Sequence, residues 1–198
     1  MLDSPDMLSV IAQCGGIWKN SIIQGLTNPK AFHQWMRRNG YVIPLMKRYK
    51  SAGEWTYRVP NKFLERYWRV VPKEINEYTI FRSFALLLYY EKETNLPLKS
   101  KDFERYVGEF SRRPFNGVYY TIDEELHPIV IIVDYYRPVK KIIEMIGALR
   151  LPMRLDRSPY FHILTNKEPI GLQNDIEKKY EYEQLQVFYF EKLKAGLL

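Results

Sequence analysis

"NPKAFHQWMRRNGYVIPLMKRYKSAGEWTYRVP", residues 28–60, changes its hydrophobic period at a glycine and carries cations on both sides of the change. Asn28 before Pro29 is the expected opening of a helix. The amide side chain can cap free N–H groups there, and proline at the first helical position sacrifices no hydrogen bond. The spacing predicts a helix over Pro29–Asn39 closed by Gly40. Phe32, Trp35 and Met36, with Ala31, form its apolar stripe, while Lys30, His33, Gln34, Arg37 and Arg38 fall on the other side or its flanks. Beyond Gly40 the period becomes two. "YVIPL" and "WTYRV" read as strands, with Trp55, Tyr57 and Val59 facing inward. The turn and its approaches hold Lys47, Arg48, Lys50 and Arg58.

Upstream, Met7–Ile17 reads as a helix ended by the Gly15–Gly16 pair, and Ser21 as the cap of a second short helix, "IIQGLT". Three short helices before a basic-tipped hairpin make a winged helix-turn-helix arrangement. Its third helix would sit in a DNA groove and its wing would follow the backbone. The expected contacts to double-stranded DNA are Lys30, His33, Gln34, Arg37 and Arg38 from the helix, with Lys47, Arg48, Lys50 and Arg58 from the wing. The rival is a winged helix that binds RNA or protein.

The distribution of charge supports a polyanion partner. Residues 1–75 hold 12 Lys and Arg against 5 Asp and Glu, and residues 76–198 hold 18 of each. The whole net charge of +7 therefore lies in the first part of the chain. A content of 46% hydrophobic residues argues against disorder. The single cysteine, Cys14, excludes an internal disulfide framework and fits a reducing compartment. No basic flank precedes an apolar run at the N-terminus, and "SFALLLYY" is too short to cross a bilayer, so a cytoplasmic protein without membrane contact is expected.

The stretch "GGIWKNSIIQGLTNPKAFHQWMRRNGYVIPLMKRYKSAGEWTYRV" resembles the N-terminal winged helix of antitoxins and transcriptional regulators of the type IV toxin–antitoxin class. Gly16, Leu26, Phe32, Met36, Gly40, Arg48 and Tyr57 carry the likeness, which covers roughly residues 7–60. Pro44 in the first strand and the long hairpin turn depart from the simplest pattern. The resemblance implies DNA binding, with autoregulation and a toxin partner as its more remote implications.

The expected fold is α+β in three parts: a winged helix over 1–75, a helical connector over 76–115, and a mixed α/β domain over 116–198. Within the connector, Ile80 to about Thr94 is apolar over much of its circumference, as a central packing helix or a protein interface would be. A second helix follows, with Ser100 as its cap. A homodimer or a protein partner would use residues 80–110 or the C-terminal domain. Beyond Asn116, "GVYYTID" and "PIVIIVDYY" read as strands, "RPVKKIIEMIGAL" as a helix, "MRLDR" and "YFHILT" as strands, and Asp175 to Lys194 as a final helix.

No G-x-G-x-x-G or G-x-x-x-x-G-K is present, so neither standard nucleotide loop is expected, and neither a cofactor nor a structural zinc site is indicated. The alternative to a non-enzymatic regulator is a metal-dependent nucleic-acid enzyme, primase-polymerase-like or nuclease. It would use Asp123, Glu125 and His162, with Asp134, Asp156 or Asp175 as a third carboxylate. The simpler account makes "DEE" a solvated turn and His162 a half-buried strand residue.

Overall fold

The computed structural model describes residues 1–45, 54–66, 75–97, 117–135, 137–150, 159–167, 169–180, 185–190 and 193. Among them the fold is α+β, with seven helices and two sheets. The chain divides into two compact units, Met1–Leu96 with Lys192–Leu198, and Pro97–Glu191. No described helix is long and apolar enough to cross a membrane. The expected second connector helix with its Ser100 cap, the strand "MRLDR" and Asp156 lie outside the described residues.

The first unit begins with α1, Ser4–Gln13. It starts earlier than the apolar spacing suggests because Asp3 caps it, its Oδ1 accepting the Asp6 N–H at 2.9 Å. It also ends earlier. Ile17–Trp18 are strand β1, not the last residues of a helix. Gly16 makes the change of direction with φ +80°, and a Cβ there would collide with Leu64 and Val59. Next come α2 (Asn20–Ile23), α3 (Pro29–Arg38), β2 (Ile43–Pro44), β3 (Tyr57–Arg58) and α4 (Asn61–Leu64). The strands form one antiparallel sheet in the order β1-β3-β2. Ser21 does not cap α2. Lys19 holds the extended cap position with no side-chain hydrogen bond, and Ser21 lies inside the first turn.

Helix α5, Glu77–Glu93, closes this unit. Asn76 and Thr79 exchange side-chain hydrogen bonds with each other's backbone N–H at 2.9 Å, a reciprocal cap that sets its start. Every residue from Thr79 to Tyr89 is buried, and the helix packs on α1, β1 and α2. Its apolar girth is thus covered as that of a central packing helix is. The close approach also needs small neighbours: a Cβ on Gly15 would meet Ser83 Oγ at 2.5 Å, and one on Gly25 would run into the Glu91 carboxylate.

The second unit is a four-stranded sheet, β4 (Val118–Ile122), β5 (Pro128–Asp134), β6 (Tyr160–Thr165) and β7 (Leu185–Tyr189), paired in that order. β4 and β5 form an antiparallel hairpin, whereas β5, β6 and β7 run parallel. Parallel neighbours need crossovers, supplied by α6 (Val139–Arg150) and α7 (Pro169–Tyr180). Both helices lie on one face. Val130, Ile132, Phe161, Ile163 and Leu185 pack there against Ile142, Ile146, Leu172 and Ile176. β5 is buried along its whole length, as its unbroken apolar run foretells.

One expectation fails here. The helix foreseen from Asp175 to Lys194 stops at Tyr180, and Leu185–Tyr189 are the strand β7. Leu185, Phe188, Tyr189 and Leu193 stand at i, i+3, i+4 and i+8, a spacing that imitates a helical stripe. Pairing with β6, Phe161 opposite Leu185 and Ile163 opposite Val187, decides the matter.

Candidate nucleic-acid interface

α3 is fixed from its apolar side. Asn28 Oδ1 accepts the Ala31 N–H at 3.1 Å, Pro29 opens the helix, and Gly40 follows it at φ +67°. Phe32 and Met36 are fully buried. A ring cluster then joins helix to sheet: Trp18 of β1 lies 5.1 Å from Phe32 and 4.8 Å from Tyr57 of β3, centroid to centroid. Trp35 continues the cluster through Tyr41 to Phe63 of α4. Burying rings of this size stabilises the unit by roughly 2–3 kcal/mol each.

The opposite side of α3 faces water. Lys30, Gln34, Arg37 and Arg38 are exposed, at helical positions i, i+4, i+7 and i+8, which place them on one stripe. Ala31, also exposed, leaves the approach to that stripe unobstructed. Arg37 and Arg38 occupy the last turn, where cations complement the helix dipole.

His33 does not join them. Its ring lies 4.7 Å from Tyr57 and 5.8 Å from Trp18, and its Nδ1 is buried with no hydrogen-bond partner among the described residues. Burial, and secondarily the Arg37 guanidinium, hold its pKa below the usual histidine value. Its surroundings are those of a packing residue. Arg58 is directed elsewhere too. Successive strand residues face opposite sides, so with Tyr57 turned to α3, Arg58 points away. There it donates through Nη2 to Asn61 Oδ1 at 2.9 Å and, with Arg82, borders a small hollow beside Gly15 and Gly16. Lys47, Arg48 and Lys50 lie outside the described residues.

Trp55 corrects the inward alternation expected of the second strand. It is 37% exposed, and Thr56 is buried in its place, its carbonyl accepting the Leu45 N–H at 2.9 Å. Sequence reasoning missed Glu54, which links this strand to α2: Oε1 accepts the Ser21 N–H at 2.8 Å and Oε2 the Ser21 hydroxyl at 2.6 Å. A signal was present, because Glu54 is the sole acid in residues 28–60.

In the second unit, the residues of the enzymatic alternative do other work. Asp123 builds the β4–β5 turn: Oδ1 accepts the N–H groups of Glu125 at 3.0 Å and His127 at 2.7 Å, while Oδ2 meets His127 Nδ1 at 3.1 Å. Glu125 is largely exposed, its carboxylate 3.7 Å from the same imidazole. His162 is buried in β6, its ring against Phe188, and burial pushes its pKa down to about 4 against an opposing effect of Asp123. Among the described residues, no three His, Cys, Asp or Glu side chains gather so as to hold a metal ion. Asp134, offered as a third carboxylate, is fully buried at the far end of β5. It accepts from the Thr165 hydroxyl at 3.0 Å and the Arg137 N–H at 2.9 Å, with Lys167 Nζ at 3.4 Å. Lys167 also donates to the Arg137 carbonyl. This is a satisfied knot tying the ends of β5 and β6 to the start of α6. Asp175 is exposed on α7.

No protein-family model, curated protein or solved structure matches the chain.

Proposed function

We propose that this protein is a non-enzymatic regulator that binds double-stranded DNA through its first unit, a winged helix-turn-helix with α3 as the recognition helix. The observation that carries the reading is the split character of α3. Phe32, His33 and Met36 seat it on the sheet and core, and Lys30, Gln34, Arg37 and Arg38 leave the protein together. The order helix, strand, two helices, two strands, with the sheet order β1-β3-β2, supports it further.

In a major groove, Arg37 and Arg38 could each donate in parallel to the N7 and O6 atoms of guanine, and Gln34 could pair with adenine. Lys30, at the start of the helix, would meet phosphate. The β2–β3 ribbon is the wing, and Lys47, Arg48 and Lys50, which stand between its strands in the sequence, are the cations proposed to meet the DNA backbone. His33 belongs to the support of the helix, and Arg58 to the far side of the sheet. A transcriptional role in the cytoplasm, of the antitoxin kind that residues 7–60 resemble, follows from such a module joined to a neutral one.

Selection from a pool of random duplexes tests the regulatory reading. Enrichment of a short shared sequence is expected, and its loss at particular base pairs when Arg37 or Gln34 is replaced by alanine. A pool that shows no enrichment would sink the sequence-reading role assigned to α3.

A further inference from the structure

Glu54 is an anomaly in its surroundings. Residues 28–60 hold seven Lys and Arg and this one acid. On a surface that meets a polyanion, a carboxylate repels the ligand. Its two oxygens are nevertheless both engaged by one residue 33 positions away, through the Ser21 N–H at 2.8 Å and the Ser21 hydroxyl at 2.6 Å. Both contacts are short and charge-assisted, about twice as strong as neutral ones. Other groups feel the same charge. Burial lowers the Lys19 pKa and Glu54 works to raise it, whereas the Tyr57 pKa is raised by burial and by Glu54, against Arg37. The carboxylate thus joins the approach to β3 to α2, and Tyr57 of β3 feels both it and Arg37 of α3.

Among the described residues, β2 and β3 share the pairs Ile43–Arg58 and Pro44–Tyr57, extended by the Leu45 N–H to the Thr56 carbonyl. Glu54 stands beyond those pairs at an isolated bridge position, and the Trp55 that follows it is 37% exposed.

We propose that Glu54 is a positioning residue for nucleic-acid binding: clasped by Ser21, its carboxylate fixes the β2–β3 ribbon against α2 and in register with the cationic face of α3. The proposal rests on the DNA-binding reading above. It reverses what charge alone predicts. Removing an acid from a cationic face should tighten binding to a polyanion. Loss of a clasp weakens binding instead, although the net charge becomes more positive.

The experiment is fluorescence anisotropy of a labelled duplex titrated with the full chain carrying Glu54→Ala, Glu54→Gln, Ser21→Ala, or the Ser21→Ala/Glu54→Ala pair. Glu54→Ala is expected to weaken binding about 3- to 10-fold and Ser21→Ala nearly as much, with the pair no worse than Glu54→Ala because both remove one interaction. Glu54→Gln can still accept from the Ser21 N–H and meet the hydroxyl, so it retains most of the affinity without the charge. Rescue by glutamine marks positioning. Tighter or unchanged binding by Glu54→Ala in a chain whose wild type binds overturns this proposal alone, as do fully additive losses in the pair. A wild-type chain that binds no duplex overturns the DNA-binding reading and this proposal with it.

Discussion

The two units handle charge in opposite ways. In the first, α3 turns Lys30, Gln34, Arg37 and Arg38 into water, and Glu54, the one acid in residues 28–60, is taken up by Ser21. In the second, the charged groups at the strand ends are spent on one another or on the backbone: Asp134 with Lys167 and Thr165, and Asp123 with His127. A carboxylate that already accepts two or three hydrogen bonds is poorly placed to take a ligand, whereas an exposed guanidinium has its full donor set to offer. The contrast separates a surface built for contact from a scaffold built for shape, and the net charge of +7 has the same division.

The largest effect should come from the aromatic support of α3. Trp18→Ala removes a fully buried ring that touches Phe32, His33 and Tyr57, and should cost about 4 kcal/mol in urea unfolding. A loss below about 1 kcal/mol would break the claim that a rigid core presents the cationic stripe.

Next in size is the knot of the second unit. Asp134→Ala strands Lys167 and the Thr165 hydroxyl, and should destabilise that unit by about 3 kcal/mol, at the lower end for a buried pair because Lys167 is 31% exposed. Asp134→Asn keeps one acceptor oxygen for the Arg137 N–H, its amide NH2 can meet only the Thr165 hydroxyl oxygen, and it should cost less. Hydrogen exchange of the β5 amides reports the change directly. Slow exchange retained in Asp134→Ala would show that this carboxylate is not a structural element and reopen the question of a ligand there.

A smaller, pH-dependent effect tests His162. Burial holds its folded pKa near 4, below the ordinary value of about 6.5, so the unfolded chain binds the extra proton first. Stability should be unaffected above pH 6.5 and fall as the pH drops, by about 2 kcal/mol at pH 5. His162→Leu should remove that component. Parallel stability–pH curves for wild type and variant would contradict the burial account.

Much of α3 and β5 was readable in advance, since local chemistry decides both. Asn28–Pro29 can cap and open a helix without help from elsewhere, and seven consecutive strand residues buried on both faces leave an unbroken apolar run. What escaped depends on contacts across the chain. His33 follows Phe32 on the edge of the apolar stripe, and only the rings of Trp18 and Tyr57, brought over by the sheet, settle which way it turns. Arg58 looked equivalent to the other cations until its pairing with Ile17 and Ile43 fixed its face. β7 was hidden because a strand of five residues with aromatic and aliphatic neighbours fits two periods equally well, and β6 was needed to choose. Asp123, Glu125 and His162 share carboxylate and imidazole chemistry with metal sites, yet the turn and the core each claimed their own.

The most direct measurement of the central claim is the salt dependence of duplex binding by the wild-type chain and by a Lys30→Ala/Gln34→Ala/Arg37→Ala/Arg38→Ala variant, with thermal unfolding as the control for folding. Exposed side chains contribute little to stability, so the variant should unfold within about 0.5 kcal/mol of wild type. Wild-type affinity should fall linearly in log–log form with salt, and each lost phosphate contact should reduce the slope by about 0.9. The variant should bind at least about 100-fold more weakly and with a flatter salt dependence. Equal affinity and equal slope in the two chains would contradict the assignment of α3 as the DNA-binding surface.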